Sequence, residues 1–266
     1  MKYMGSKSRI AKQIVPIIQQ CIDDSHSDTY IEPFVGGANV IDKIKCWRRI
    51  GYDENQYLIA LLKHVQANGK LLDKVPRDLY NTIRTEYRNG TCKASDWLIA
   101  NVGFLASYNG RFFDGGYAPS GYEKTKTGER YRDYYQESKR NLESQAQDLQ
   151  DIWFDCKDYR DIWTKGQAYN CVIYCDPPYA NTKQFANSQD FDYEEFWETM
   201  RKWSKTNYVI ISELSAPDDF ICIWQKDVQR SMKSTDNTMR AVEKLFAHKD
   251  GLYVQKYYKG EMNYGN

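Results

Sequence analysis

Apolar residues recur at helical spacing from residue 7 to 22, with Ile10, Ile14, Ile17, Ile18 and Cys21 on one face behind Ser6 or Ser8 as a cap. Pro16 falls inside this pattern and predicts a kink or an early end. The period then shortens. Tyr30-Ile31-Glu32-Pro33-Phe34 reads as a short strand, Val35-Gly36-Gly37-Ala38-Asn39 as a turn, and Val40 to Trp47 as a helix. Arg49-Ile50-Gly51-Tyr52-Asp53 predicts a second strand and Gln56 to Gln66 a second helix.

From Pro76 to about Gln150 the pattern changes to helical segments interrupted by a polar, tyrosine-rich stretch, Ser107 to Tyr117. Its Asn109-Gly110 and Asp114-Gly115 pairs form turns readily and suit a hairpin or an extended loop. Strand and helix alternation resumes with Ile152-Trp153-Phe154-Asp155 and Val172-Ile173-Tyr174-Cys175, both predicted strands. Phe185 to Asp190 reads as a mobile loop. Asp192 to Ser204 reads as a helix, with Asp192 and Glu195 spaced as a capping box, and Asn207 to Ser212 as a buried strand. Further strands are expected between 221 and 258. Alternation of this kind predicts an α/β protein.

Composition narrows the class. The 266 residues are 27% charged and 41% hydrophobic, without an apolar run near 18 residues, which predicts a globular chain with no membrane span. The segment Met1-Lys2-Tyr3-Met4-Gly5-Ser6-Lys7 lacks a signal-peptide core, and seven cysteines without a Cys-x-x-Cys pair suit a reducing compartment. A cytoplasmic setting is the expectation. Cys171 and Cys175 are expected in the core. His26, His64 and His248 lie far apart, so no metal site is expected. A net charge of +1 means that any nucleic-acid surface must be local.

The strongest chemical signal is Asp176-Pro177-Pro178-Tyr179, at the end of the strand Val172 to Cys175. Adenine N6 is a poor nucleophile because its lone pair is delocalised into the ring. Asp176 can accept one of its N–H groups, and the carbonyl of Pro177, on a backbone of fixed φ, the other. Two acceptors out of the base plane favour a tetrahedral nitrogen whose lone pair points at a methyl donor. Tyr179 would stack on the base. The alternative is a turn that merely leaves the strand.

Upstream, glycines at 36 and 37 followed by Asp53 fit an adenosine-bearing cofactor, because glycine admits close backbone approach and a carboxylate about 20 residues on can hold ribose hydroxyls. Lys124, Lys126, Arg130, Arg132, Lys139 and Arg140 follow the aromatic stretch at 107 to 117, a mixture suited to phosphates and bases. Glu123, Glu129, Asp133 and Glu137 lie among them, so a solvated helix face is the competing reading.

Together these motifs resemble the class D12 DNA adenine N6-methyltransferases of the α group. Tyr3-Met4-Gly5-Ser6-Lys7 looks like the N-terminal cofactor motif, with Tyr3 and Lys7 at the matching positions. Glu32-Pro33-Phe34-Val35-Gly36-Gly37 resembles the S-adenosylmethionine loop, with Asp53 as the ribose acid and Asp158-Tyr159 at the adenine end. Asp176, Pro177, Pro178 and Tyr179 match the catalytic tetrapeptide, Asp176 also adjoining the cofactor. Tyr108-Asn109-Gly110-Arg111 resembles the start of the target-recognition hairpin, which makes Tyr108, Asn109, Arg111, Lys124, Lys126 and Arg130 candidate DNA contacts. Ala38 stands where the family usually has its second glycine and is expected to be accommodated.

The resemblance implies a doubly wound, Rossmann-like methyltransferase sheet over 1–75 and 151–266. A mainly helical target-recognition insertion containing a hairpin would occupy 76–150. It further implies S-adenosylmethionine as cofactor, methylation of a flipped-out adenine in double-stranded DNA, and a monomer or weak dimer, with a cognate restriction enzyme as a conceivable partner. Cytosine N4, an RNA adenine or a glutamine side chain remain alternative substrates, though such enzymes tend to carry Ser or Asn in place of Asp176. A catalytically silent DNA-binding regulator of the same fold is the alternative from another class.

Overall fold

The computed structural model describes residues 1–125, 128–163, 169–179, 191–229 and 240–258. The expected loop from Phe185 to Asp190 lies outside the described residues, as does Lys126. Seven strands form one sheet in the order β5-β2-β1-β6-β7-β9-β8, made of β1 (Thr29–Glu32), β2 (Arg48–Asp53), β5 (Ile152–Cys156), β6 (Val172–Cys175), β7 (Tyr208–Glu213), β8 (Phe220–Gln229) and β9 (Arg240–His248). A separate two-stranded ladder pairs β3 (Gly121–Thr125) with β4 (Gly128–Arg132). The helices are α1 (Ala11–Ser25), α2 (Gln56–Gln66), α3 (Arg77–Arg88), α4 (Asp96–Ala100), α5 (Tyr134–Ala146), α6 (Tyr193–Ser204) and α7 (Leu252–Tyr257). The protein is thus a mixed α/β structure, and among the described residues no helix is long and apolar enough to cross a membrane.

Two compact units divide the chain. The first comprises Met1–Val15, Val35–Ile44 and Gly51–Lys157. Asn55 caps its helix α2 by accepting from the backbone N–H groups of Tyr57 and Leu58, and Leu58, Leu61, Leu62 and Val65 are buried at helical spacing. Further along, α4 passes into a π-helical turn, Asn101–Leu105, whose residues are all buried. Ser107 and Tyr117 close the following loop as an isolated antiparallel bridge.

The second unit comprises Pro16–Phe34, Lys45–Ile50 and Asp158–Asn266. Its strands β1 and β6 are buried at every position, which is why they read as continuous apolar runs rather than alternating ones. They pair in parallel, Tyr30 with Val172 and Ile31 with Ile173, and β6 pairs in parallel with β7. The sheet ends in antiparallel pairings, β7 with β9 and β9 with β8. Asp192 caps α6 by accepting from the Glu195 N–H at 2.9 Å, as the capping-box spacing predicts. Cys171 and Cys175 are both buried.

Some expectations change. Pro16 does not end α1, which runs on to Ser25. Ser6 accepts from the Ser8 N–H and caps a 3-10 turn, Lys7–Arg9, ahead of the helix. The helix expected from Val40 to Trp47 is only a 3-10 turn, Ile41–Lys43, because Ile44 is already extended; Val40, Ile41 and Ile44 are buried without helical continuation. Of the hairpin or extended loop expected within 107–117, the structure has the loop, with a 3-10 turn, Tyr108–Gly110, and the single Ser107–Tyr117 bridge, and the two-stranded ladder lies downstream, Gly121–Thr125 with Gly128–Arg132.

The turn after β1 carries an unusual backbone. Gly36 has φ +48 and Ala38 has φ +55, both in the left-handed region. Ala38 is buried and donates its N–H to the Val35 carbonyl at 2.9 Å. An L-residue held there costs roughly 1–2 kcal/mol, part of which glycine returns through its freedom in the unfolded chain. Ala38→Gly is therefore expected to raise stability by up to about 1 kcal/mol, seen as a higher urea midpoint at unchanged slope; a lower midpoint would contradict the strain.

Candidate active site

Strand order reverses beside β1: β2 and β5 continue on one side of it, β6 and β7 on the other. Open α/β sheets bind ligands at the carboxyl ends of the strands at such a reversal. Two predicted motifs leave the sheet there, within the second unit. Glu32 follows the Ile31–Ile173 pair on β1, and Asp176-Pro177-Pro178-Tyr179 follows Cys175 at the end of β6. Parallel pairing sends both chains out in the same direction.

Glu32 is buried and accepts from the Tyr30 hydroxyl at 2.7 Å. Burial, together with that carboxylate, pushes the Tyr30 hydroxyl well up, so it stays a neutral donor. Pro33 is buried, and the Phe34 ring lies 5.3 Å from Tyr159 and 5.9 Å from Phe196, centroid to centroid. Phe191 joins this aromatic group at 6.0 Å from Phe34. Asp158 opens the 3-10 turn Tyr159–Asp161 and accepts from Arg160 three times: from its backbone N–H, from Nε and from one terminal nitrogen, each at 2.8 Å. The Arg160 guanidinium holds the Asp158 carboxyl below the usual carboxylate range.

The tetrapeptide is anchored on two sides. Tyr193, the first residue of α6, donates its hydroxyl to the Pro178 carbonyl at 2.7 Å. The Tyr179 hydroxyl donates to Glu243 Oε2 at 2.6 Å and stands 3.0 Å from Ser212 Oγ. Burial, then Asp176 and Glu243, push the Tyr179 hydroxyl well up. Sequence reasoning missed Tyr193, Ser212 and Glu243. Tyr193 lay within reach of a capping argument, whereas Glu243 is 64 positions from Tyr179 and carried no local signal.

The first unit holds the remaining predicted cofactor residues. Asp53 closes β2, and its carboxylate accepts from the Gly36 N–H and the Asn55 N–H, both at 3.0 Å. Burial, only partly offset by these two donors, pushes its pKa up to about 6. Tyr3 packs on the glycine turn so closely that a Cβ on Gly36 would come within 3.1 Å of its ring, and one on Gly37 within 2.9 Å of its own Cβ. Lys7 is buried, its Nζ 3.4 Å from the Gly5 carbonyl. Asp53 therefore fixes the turn as well as presenting a carboxylate.

The predicted DNA contacts of this unit fall in two groups. Tyr108 is exposed with its ring 5.6 Å from Tyr134, Asn109 adopts φ +57, and Arg111 is half-buried with its Nε lacking a partner. Lys124 and Arg130 are exposed on the β3-β4 ladder, opposite Glu129 and Glu123 in register. Two other bases are committed to ion pairs, Arg132 with Glu137 at 2.7 Å and Lys139 with Asp73 at 3.3 Å. The solvated helix face considered for 123–140 is therefore half wrong, since Gly121–Thr125 and Gly128–Arg132 are strands and, among the described residues of that stretch, only those of α5 are helical. The ladder also exposes Tyr122 (76%) and Tyr131 (56%), cross-strand partners with rings 5.4 Å apart, which sequence reasoning had passed over. Among the described residues no group of three His, Cys, Asp or Glu side chains is placed to hold a metal.

Comparison with known proteins bears on the same motifs. A "DNA adenine methylase" of Salmonella typhi is 30% identical over 179 residues, 62% of this chain and 61% of that protein. A "DNA adenine methylase" of Vibrio cholerae serotype O1 (strain ATCC 39541 / Classical Ogawa 395 / O395) is 27% identical over 200 residues, 70% of this chain and 67% of that one. The "Type II methyltransferase M.FokI" of Planomicrobium okeanokoites is 23% identical over 220 residues, 76% of this chain and 32% of that one. The chain thus spans about 61% of the length of the Salmonella relative. The family model for D12 class N6 adenine-specific DNA methyltransferase matches residues 3–214, a span that takes in the glycine turn, Asp53, the 107–140 segment and the tetrapeptide. On that match the chain belongs to the D12 class N6 adenine-specific DNA methyltransferase family.

Proposed function

We propose that this protein transfers a methyl group from S-adenosylmethionine to N6 of an adenine turned out of double-stranded DNA. The observation that carries the reading is the tetrapeptide Asp176 to Tyr179 leaving β6 beside Glu32 at the strand-order reversal, in a chain of this family.

The residues present fit the cofactor. In the first unit the Gly36-Gly37 turn carries no Cβ, whose place Tyr3 closely approaches, and the Asp53 carboxylate suits ribose hydroxyls; in the second, Phe34 and Tyr159 offer aromatic surface for an adenine. Glu32, Pro33, Asp158 and Asp176 complete the set, with Tyr3 and Lys7 supporting the glycine turn. When bound, S-adenosylmethionine supplies the methyl as an electrophilic sulfonium, a cation that carboxylates such as Glu32 and Asp176 favour.

The chain's own work is to bind and aim N6. Asp176 accepts one N–H and the Pro177 carbonyl the other; the Pro178 carbonyl is already engaged by Tyr193. Held by two acceptors, the nitrogen becomes tetrahedral and its lone pair is directed at the methyl. Tyr179 stacks on the base. Turning the base out costs a few kcal/mol, which contacts from the 76–150 segment offset. There Lys124, Lys126 and Arg130 hold phosphates, the exposed Tyr122–Tyr131 pair lies against the duplex, and Tyr108, Asn109 and Arg111 reach bases or sugar. Likeness to a Type II methyltransferase supports a restriction-modification setting.

Two outcomes are expected. With tritium-labelled cofactor and unmethylated DNA, Asp176→Ala should lower label transfer by about a hundredfold or more while calorimetry still detects cofactor binding; transfer at the wild-type rate would refute the role of Asp176. Because the Asp53 pKa is raised to about 6, its charged form is lost as pH falls through that value. Cofactor affinity measured by calorimetry from about pH 5 to 8 should therefore weaken on the acid side of pH 6 and level off above it. Asp53→Asn should bind weakly with a flat profile, and a flat profile in the wild type would contradict this role.

A further inference from the structure

The Tyr179 hydroxyl is bonded to the two strands that lie beyond β6 in the sheet, Ser212 on β7 and Glu243 on β9. Ser212 is fully buried and pairs in register with Leu245, so the two strands deliver both oxygens to one hydroxyl from a rigid ladder. The contact to Glu243, at 2.6 Å, has the length of a charge-assisted O–H···O⁻ bond. Such a bond is stronger than one between neutral partners and holds the ring against rotation. Glu243 also shares its surroundings with the Asp176 carboxylate, since both charges act on Tyr179. Glu243 lies outside the span 3–214 that matches the family.

We infer that Glu243, seconded by Ser212, is a positioning residue for methyl transfer: it fixes the Tyr179 ring in the plane that receives the target base. The inference rests on the methyl-transfer reading. The fixed ring spares the base from selecting among rotamers on arrival, so the gain falls on turnover and not on cofactor binding. Tyr193 on the Pro178 carbonyl holds the same loop from the side of α6.

The test compares wild type, Tyr179→Phe, Glu243→Ala, Glu243→Gln and the double variant Tyr179→Phe/Glu243→Ala. Turnover and KM are measured on unmethylated genomic DNA, cofactor Kd by calorimetry and unfolding midpoints by heating. Tyr179→Phe keeps the ring and removes only the oxygen, so it guards against misfolding of the Glu243 variants. The expected result is a fall in kcat of about ten- to a hundredfold in Tyr179→Phe and Glu243→Ala, with cofactor Kd within about twofold of wild type. The double variant should be no slower than the slower single one, and Glu243→Gln, which keeps an acceptor oxygen, should recover part of the loss. Lower midpoints with unchanged kcat would make the contact purely structural and overturn the inference, as would losses that multiply in the double variant. A wild-type protein that transfers no methyl at all would remove the methyl-transfer reading and this inference with it, whereas active wild type with unaffected variants would remove the inference alone.

Discussion

Parallel pairing of β1 with β6 is the constraint on which the rest depends. Parallel neighbours end at the same edge of a sheet, so whatever chemistry follows each strand is delivered to one place without any loop having to search for it. Here β1 delivers Glu32 and β6 delivers Asp176, and the register Ile31 with Ile173 leaves no freedom to slide either acid away from the other. A slip of one residue would also turn every side chain of a fully buried strand to the opposite face. The positions of the two carboxylates are therefore held by the apolar core of the sheet.

Around that edge the protein concentrates negative charge and hydroxyls where burial makes both expensive. Glu32 takes a proton donor from Tyr30 and Glu243 takes one from Tyr179; in the first unit, considered by itself, Asp53 takes two backbone N–H groups. Each acid is stabilised by a neutral donor. Asp158 differs, since it is neutralised by Arg160. A buried carboxylate held by neutral donors keeps its charge available to a cationic partner, which accords with a sulfonium as methyl source. The raised value of Asp53, about 6, records how incompletely two donors repay desolvation.

Much of this was legible in the sequence wherever local periodicity and packing agree. Helix α2 and strand β6 occupy the residues their patterns predict, because the capping Asn55 and the bounding Asp176-Pro177 act through the nearest neighbours. Patterns failed where tertiary packing decides. Val40, Ile41 and Ile44 are apolar at helical spacing, yet their burial is met by a 3-10 turn and extended chain. Asn109-Gly110 turns as expected but opens no ladder, and the paired strands are Gly121–Thr125 and Gly128–Arg132 instead. In the site, the tetrapeptide and glycine turn were visible as motifs, while Glu243 was not, because its meaning comes from sheet order β6-β7-β9, which a linear reading does not supply.

The central claim, that the tetrapeptide on β6 serves an adenine amine, is tested most directly by the identity of the methylated base. Unmethylated genomic DNA incubated with the purified protein and S-adenosylmethionine would be digested to nucleosides and quantified by mass spectrometry. N6-methyladenine well above the level in DNA incubated without protein is the predicted result. N4-methylcytosine in its place, or no methylated base from protein that binds the cofactor, would contradict the account.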